Sequence, residues 1–174
     1  MVQYIIIGLV VAIFVLVIVV AMQSSDFRYA RSITISASTS KVFEQVNDFH
    51  NWVSWSPWVK FDPAAKNSFD GPSAGTGAVF KWSGNNKIGE GSNTIIESRP
   101  GELIRIKVEF FRPFAAVNTA EFTFRPENNQ TVVTWSMFGK KNFMSKAMGL
   151  MMDCDKMIGG QFEEGLANLK QVLC

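Results

Sequence analysis

The N-terminal segment of the chain is apolar and uncharged up to Ser25. Residues 4–22 read YIIIGLVVAIFVLVIVVAM. About 20 apolar residues in an α-helix cross the roughly 30 Å hydrocarbon core of a bilayer. Val and Ile favour strands in water, but in lipid the backbone must satisfy its own hydrogen bonds, which imposes a helix. The run therefore predicts a single transmembrane helix, with the membrane contacted through residues 4–22.

Two other interpretations of this segment stay open. A cleaved signal peptide typically has a basic start, a shorter apolar core and a small-x-small exit. No Lys or Arg precedes this core, and Ala21-Met22-Gln23 is a poor cleavage site. A buried core helix rarely lacks any polar residue over such a span. We therefore expect residues 1–26 to form a retained anchor with its spacer, and residues 27–174 to form one soluble domain.

The distribution of basic residues predicts the orientation of the anchor. Arg28, Arg31 and Lys41 follow the apolar run, and only the α-amino group precedes it. The positive-inside bias favours the cytoplasm for the more basic flank. We therefore expect a single-pass membrane protein whose soluble domain lies on the cytoplasmic side.

The composition excludes several classes of protein. Apolar residues make up 47% of the chain and charged residues 18%, which suits a domain with a hydrophobic core. A net charge of +2 without a dense Lys/Arg run argues against nucleic acid as a partner. Cys154, Cys174 and His50 match no zinc spacing, and the two cysteines lie too far apart on one predicted helix for a disulfide. The sequence predicts neither a metal site nor a cofactor.

Alternating apolar and polar residues predict a run of antiparallel strands. Ile104 and Ile106 share one face of their strand, whereas Arg105 lies on the other. Arg99-Pro100-Gly101-Glu102 predicts a type II turn, and Asn128-Asn129 predicts a tight turn with positive φ. The predicted strands are residues 29–36, 77–83, 88–98, 103–111, 115–125 and 131–138, with a short edge strand at 66–69.

Helices are predicted at both ends of this run of strands. Ser38-Thr39-Ser40 is an N-cap signal for a helix over about 41–47, and residues 48–55 indicate a second short helical turn. Apolar residues recur at helical spacing from Phe143 to Leu173 and predict one long C-terminal helix. Its four glycines predict close approach to a neighbour, a kink near Gly159-Gly160, or both. Helices segregated from an antiparallel sheet define the α+β class.

Six stretches of the chain carry a family resemblance. They are ITISASTSKVFEQVNDFHNWVSWSPW, GTGAVFKWSGN, KIGEGSNTIIESRPGELI, NTAEFTFRP, TVVTWSMFG and NFMSKAMGLMMDCDKMIGGQFEEGLANLK. Together they resemble the START-like (SRPBCC) superfamily, specifically its polyketide cyclase/dehydrase-like branch, over about residues 30–173. The resemblance implies a helix-grip fold, in which a curved antiparallel sheet of about seven strands surrounds the C-terminal helix and a hydrophobic cavity. Members bind lipids, sterols, polyketides or plant hormones, and a minority catalyse cyclisation or hydrolysis.

Candidate residues for the cavity wall are aromatic, methionine and amide side chains. Aromatic rings and Met side chains offer large and adaptable apolar surfaces, and an amide offers a polar anchor. For the aromatic residues an ordinary core role competes with ligand contact, and for the Trp52, Trp55 and Trp58 group around Pro57 we favour the core role. The candidates are Trp55, Trp82, Phe110, Asn118, Phe122, Trp135, Met137, Phe143 and Met151.

No residue pattern marks a catalytic centre. His50 has no nucleophile motif near it, and a surface or capping role suits it better. Glu90 and Glu97 are seven residues apart on one strand, so they do not form an acid/base pair. Gly75-Thr76-Gly77 lacks the Lys and the helix of a phosphate loop. No catalytic residue is predicted.

Three functions stay open on the sequence alone. The leading one is a membrane-anchored domain that binds a lipid or another hydrophobic small molecule in an internal cavity. The second is an enzyme of the cyclase or hydrolase type acting on such a ligand, which would need a buried polar group with a shifted pKa. The third is a protein-interaction module with a filled cavity, although the sequence identifies no protein partner.

Overall fold

One antiparallel sheet forms the centre of the domain. The computed structural model describes residues 1–174. Its seven strands are ordered β1-β7-β6-β5-β4-β3-β2, and every neighbouring pair is antiparallel. The strands are β1 (Asp26–Ile35), β2 (Lys66–Asp70), β3 (Val79–Ser83), β4 (Glu90–Arg99), β5 (Leu103–Arg112), β6 (Ala116–Glu127) and β7 (Gln130–Lys140). The helices are α1 (Val2–Met22), α2 (Thr39–Asn47), α3 (Phe143–Met151) and α4 (Cys154–Leu173), with 3₁₀ helices at Phe49–Ser54 and Pro57–Phe61.

The curved sheet with helices on one face confirms the predicted α+β, helix-grip architecture. Buried apolar residues of β4 to β7 point to the same side as α2 and α4, and we call this side the concave face. The other side carries ion pairs across strands. Arg105 on β5, for example, lies between Glu97 on β4 and Glu121 on β6. The alternation predicted for β5 is therefore correct, with Ile104 and Ile106 fully buried on the concave face.

Both predicted turns are present. Glu102 N donates a hydrogen bond to Arg99 O at 3.0 Å, and Gly101 between them has φ +71°. Asn128 and Asn129 join β6 to β7 with φ values of 47° and 63°. Two successive positive φ values, as at Asn128-Asn129, give a turn that matches the twist of a hairpin, and Asn tolerates this left-handed region better than most residues. These turns fix the register of β4 with β5 and of β6 with β7.

The first strand and the N-terminal helix are almost contiguous. The helix α1 ends at Met22 and β1 begins at Asp26, three residues earlier than the predicted start at Tyr29. Length and composition make α1 able to cross a membrane. Its side chains are exposed except for Val20, so this helix is not part of the domain core.

The C-terminal segment is two helices, so the prediction of one continuous helix was wrong. The chain breaks at Met152-Asp153, where the Asp153 side chain accepts a hydrogen bond from Lys156 N at 3.0 Å and caps α4. The helix α4 continues through Gly159-Gly160 without a break. The predicted close approach is present at Gly159, which lies against the guanidinium of Arg31.

The two ends of the sheet are distinguished by the elements that lie at them. At one end, Asp26 pairs with Lys140, Asn118 pairs with Gly139, and the β5–β6 hairpin turns back. We call it the α1 end, because α1 enters the domain there. The opposite end, where β1 leads into α2, is the far end.

Candidate hydrophobic-ligand site

An aromatic cluster fills the concave face toward the far end of the sheet. Trp135 stacks on Phe162 of α4 with ring centroids 4.3 Å apart, and on Phe122 at 4.7 Å. Trp55 meets Trp135 edge-on at 5.8 Å, and Trp52 lies 4.8 Å from Trp55. All five rings are buried. We call this region the closed half of the concave face.

Three of the sequence candidates belong to the closed half, namely Trp55, Phe122 and Trp135. Their rings occupy the space between the sheet and α4, so this part of the domain is core. The favoured core role of Trp52 and Trp55 agrees with this arrangement, since Trp52 Nε1 donates to Val46 O at 3.0 Å and fixes its ring. Trp135 Nε1, in contrast, is buried without a hydrogen-bond partner.

Four other candidates lie together nearer the α1 end of the sheet. Trp82, Phe110, Asn118 and Met137 are only half-buried, on neighbouring strands of the concave face. The rings of Trp82 and Phe110 meet edge-on with centroids 5.9 Å apart. The helix α4 runs mainly over β1 and also contacts β7, so Trp82 and Phe110 on β3 and β5 lie away from it. We call this region the open half of the concave face.

Asn93 is a polar residue of the open half that sequence reasoning missed. It lies on β4 between Phe80 and Val108 of the neighbouring strands, and both of those residues belong to or pack against the core. Its Oδ1 is buried and accepts no hydrogen bond. A buried acceptor left without a partner costs about 1–3 kcal/mol. Asn93 stands two residues before the core residue Ile95, and this spacing was the signal in the sequence. The bulges in β4 made the face of the sheet on which Asn93 lies hard to assign.

A cleft of about 460 Å³ opens at the corner between α3 and α4. Its volume falls within the range of roughly 300–1,000 Å³ that small-molecule sites usually have. The candidate Met151 lines this cleft, whereas the candidate Phe143 lies on the exposed surface of α3. Tyr29 joins the cleft to the open half, because it lines the cleft and pairs with Met137 in the sheet.

Electrostatic contacts define the floor of the cleft. Burial raises the pKa of the Tyr29 phenol above its ordinary value, and the neighbouring Cys154 and Asp155 raise it further. The phenol is a hydrogen-bond donor at neutral pH, and its side-chain hydrogen bond with Cys154 is among the causes of the raised pKa. The hydrogen bond from Arg31, at 3.0 Å, holds the pKa of Asp155 below its usual range. Glu163 accepts a second bond from Arg31 at 2.6 Å.

The family of the chain is given by a match to a known family model. A family model described as "Polyketide cyclase / dehydrase and lipid transport" matches residues 26–173. The chain belongs to this family. The match confirms the resemblance predicted from the sequence stretches. No curated protein matches the chain significantly.

Solved structures of other proteins share the fold of this chain. A Thermobifida fusca protein superposes with a TM-score of 0.62 at 21% identity and covers 82% of this chain and 90% of its own. A Chromobacterium violaceum protein has a TM-score of 0.60 at 14% identity, covering 86% and 96%. The di-domain ARO/CYC StfQ from the steffimycin biosynthetic pathway has a TM-score of 0.60 at 9% identity, covering 86% of this chain and 51% of StfQ. At these identities the likeness establishes the fold alone.

The polar side chains that the sequence analysis considered for catalysis, His50, Glu90 and Glu97, are engaged in structural contacts. His50 Nδ1 lies 2.7 Å from Asp48 Oδ1, and the His50 ring stacks on Phe69 at the surface. Glu90 pairs with Arg112 and Glu97 with Arg105. No group of three or more His, Cys, Asp or Glu side chains is placed to hold a metal ion.

Proposed function

We propose that this chain is a membrane-tethered domain that binds a lipid or another hydrophobic small molecule on the open half of its concave face. The observation that carries the proposal is the unpartnered Oδ1 of Asn93 beside the half-buried rings of Trp82 and Phe110. An apolar surface with a few polar groups is typical of small-molecule sites. A ligand donor at Asn93 would remove the cost of the unsatisfied oxygen.

The position of each open-half residue suggests how such a ligand would lie. Its apolar part would cover Trp82, Phe110 and Met137, which the fold leaves only half-buried. Asn93 and Asn118 would meet a polar group on the ligand, and the protonated Tyr29 would supply a donor toward the cleft. The description of the family includes lipid transport, which agrees with a ligand of this chemistry.

The tether is supported by the exposure of α1. A core helix would bury one face in the domain, but here Val20 alone is buried. Retention of the helix in a membrane removes this large apolar surface from water, and burial of apolar surface is favourable by about 25 cal/mol per Å². A soluble domain held at a bilayer has direct access to lipids and to compounds dissolved in them.

A matched pair of variants tests the site. The full chain would be purified from membranes in a mild detergent, and native mass spectrometry with lipid extraction would identify any bound compound. Asn118→Phe fills the open half, whereas Thr119→Phe places the same ring on the opposite face of the same strand. We expect a bound apolar compound in the wild type and in Thr119→Phe, and its loss in Asn118→Phe. Equal occupancy in both variants would place the ligand elsewhere.

The closed half favours one alternative function. Because aromatic rings already fill that part of the interior, a protein-interaction module with a filled cavity is the second candidate. It predicts that no apolar compound accompanies the purified wild-type chain. The same experiment therefore separates the two functions, and turnover of a bound compound would indicate an enzyme instead.

A further inference from the structure

Outside α1, most of the exposed large apolar side chains lie on two parts of the domain, a helix and a hairpin. The first is α3, where Phe143 is 52% exposed and Met151 is 89% exposed. The second is the β5–β6 hairpin, where Phe114 is 59% exposed. Exposed apolar side chains concentrated at one end of a domain mark an interaction surface. The exposed members are Phe111, Phe114, Val117, Phe143, Met144, Met148, Leu150, Met151 and Met152.

Both structures lie at the α1 end of the sheet. The hairpin joins β5 to β6 beside the paired residues Asn118 and Gly139. The helix α3 follows directly after β7 and contacts α1, and Lys146 Nζ lies 3.4 Å from Ala21 O at the end of α1. The far-end turn at Asn128-Asn129 belongs to the opposite end of the same strands.

The spacer is too short to move this end away from a bilayer that contains α1. Gln23, Ser24 and Ser25 alone separate α1 from β1. Fully extended, they allow at most roughly 14 Å between Met22 and Asp26. The link is also tied down, because Lys141 N donates to Ser25 O at 2.6 Å. The headgroup layer of one leaflet is roughly 5–8 Å thick, so the α1 end lies within or against it.

We infer that α3 and the β5–β6 hairpin form a second membrane contact, seated among the lipid headgroups with the open half of the concave face turned toward the bilayer. This inference rests on the tether of the proposed function. The lysines around α3 suit such a position, since Lys140, Lys141 and Lys146 can extend toward lipid phosphates while the Met and Phe side chains enter the acyl boundary. A ligand then passes between the leaflet and the open half without crossing water.

Depth-dependent fluorescence quenching tests the contact on the full chain. The chain would be reconstituted in vesicles of zwitterionic and anionic phospholipid in a Cys154→Ala, Cys174→Ala background. Single cysteines at Met148, Met151 or Phe114 would carry a polarity-sensitive dye, and spin-labelled lipids would quench it. Asn129→Cys at the far end is the control. We expect quenching at the three sites at least about threefold above the control.

The outcomes separate this inference from the proposed function. Quenching at Met148 and Phe114 no greater than at Asn129 would overturn the membrane contact, even if the chain carries an apolar ligand. Strong quenching in a chain without ligand would leave the contact standing and refute ligand binding. Dyes that are shielded but unquenched, and that become exposed as the chain is diluted in lipid, would show that a second copy covers this surface. Failure of the chain to float with the vesicles would also refute the contact.

Discussion

A pair of glycine substitutions on α4 tests whether the closed half is as tightly filled as its distances indicate. An ideal Cβ on Gly165 would lie 2.8 Å from Trp135 Cζ3 and 3.0 Å from Pro57 Cδ. Both neighbours are rigid rings within the buried cluster. An ideal Cβ on Gly160, five residues earlier on the same helix, would meet nothing within 4 Å. Gly165→Ala is therefore the perturbation, and Gly160→Ala is its control.

The two variants are expected to differ in stability. Replacing a helical glycine by alanine stabilises a helix by up to about 1 kcal/mol. This gain applies at both positions, so it cancels in the comparison. Insertion of a methyl group into a filled core costs roughly 1–3 kcal/mol. We therefore expect Gly160→Ala to be more stable than the wild type, and Gly165→Ala to be less stable than Gly160→Ala by that overpacking cost.

Unfolding in urea at constant detergent concentration measures the difference. Near-ultraviolet circular dichroism reports on the tryptophan cluster directly, and thermal midpoints provide a second readout, since 1 kcal/mol corresponds to roughly 2–4 °C for a chain of this size. Equal stabilisation by both substitutions would refute the reasoning. It would mean that α4 does not press against Trp135 and Pro57, and that unfilled volume remains in the closed half.

Three further predictions follow from individual residues. Asn93→Leu is expected to keep or raise the stability of the domain in urea unfolding, because it removes an unsatisfied acceptor. The same substitution is expected to reduce occupancy by any ligand with a hydrogen-bond donor, which native mass spectrometry measures. Intact mass of the protein from alkali-washed membranes is expected to include residues 1–22, whereas loss of that segment would indicate a signal peptide. Because Arg31 depresses the pKa of folded Asp155, their contact stabilises the fold above the ordinary aspartate pKa and is lost as pH falls through the folded value. Asp155→Asn should therefore flatten stability against pH in the acidic range, and an unchanged slope would contradict this.

Patterns that depend on neighbouring residues were predictable from the sequence. The turn at Gly101 and the turn at Asn128-Asn129 followed from local backbone preferences, which tertiary contacts had no reason to override. The faces of β5 followed from alternation, because a half-buried strand has to separate its apolar and polar side chains. Together with the family resemblance these features were sufficient for the fold class and the sheet.

The break between α3 and α4 was not predictable from periodicity. Apolar residues continue at helical spacing through Met151 and Met152, so the pattern does not register the change of direction. The local signal was Asp153, whose side chain caps α4. An N-cap residue within an apolar stripe is weak evidence for a helix break, since Asp is also found at exposed positions within helices.

The assignment of apolar residues to a cavity, to the core or to a lipid surface was beyond the sequence. Trp55 and Trp82 belong to the same residue type, but the first is 1% exposed among other rings and the second is half-buried at the open half. Met151 was a candidate for the interior, yet α3 presents it to the outside beside α1. The hydrophobicity of a side chain predicts that it is removed from water, but it does not predict whether protein core, bound ligand or lipid surrounds it.

The closed half and the open half of the concave face lie toward opposite ends of the sheet and differ in packing. The aromatic rings at the far end bury most of the core and hold α4 against the sheet, so substitutions there are expected to act on stability. The α1 end carries the half-buried rings, the unpartnered Asn93 oxygen and the exposed apolar surface of α3. On the proposed function, a site that opens beside a membrane tether exchanges ligand with the leaflet in which the tether ends. The three-residue spacer would then keep the open half at the leaflet surface, and lengthening it is expected to weaken ligand loading without altering the stability of the domain.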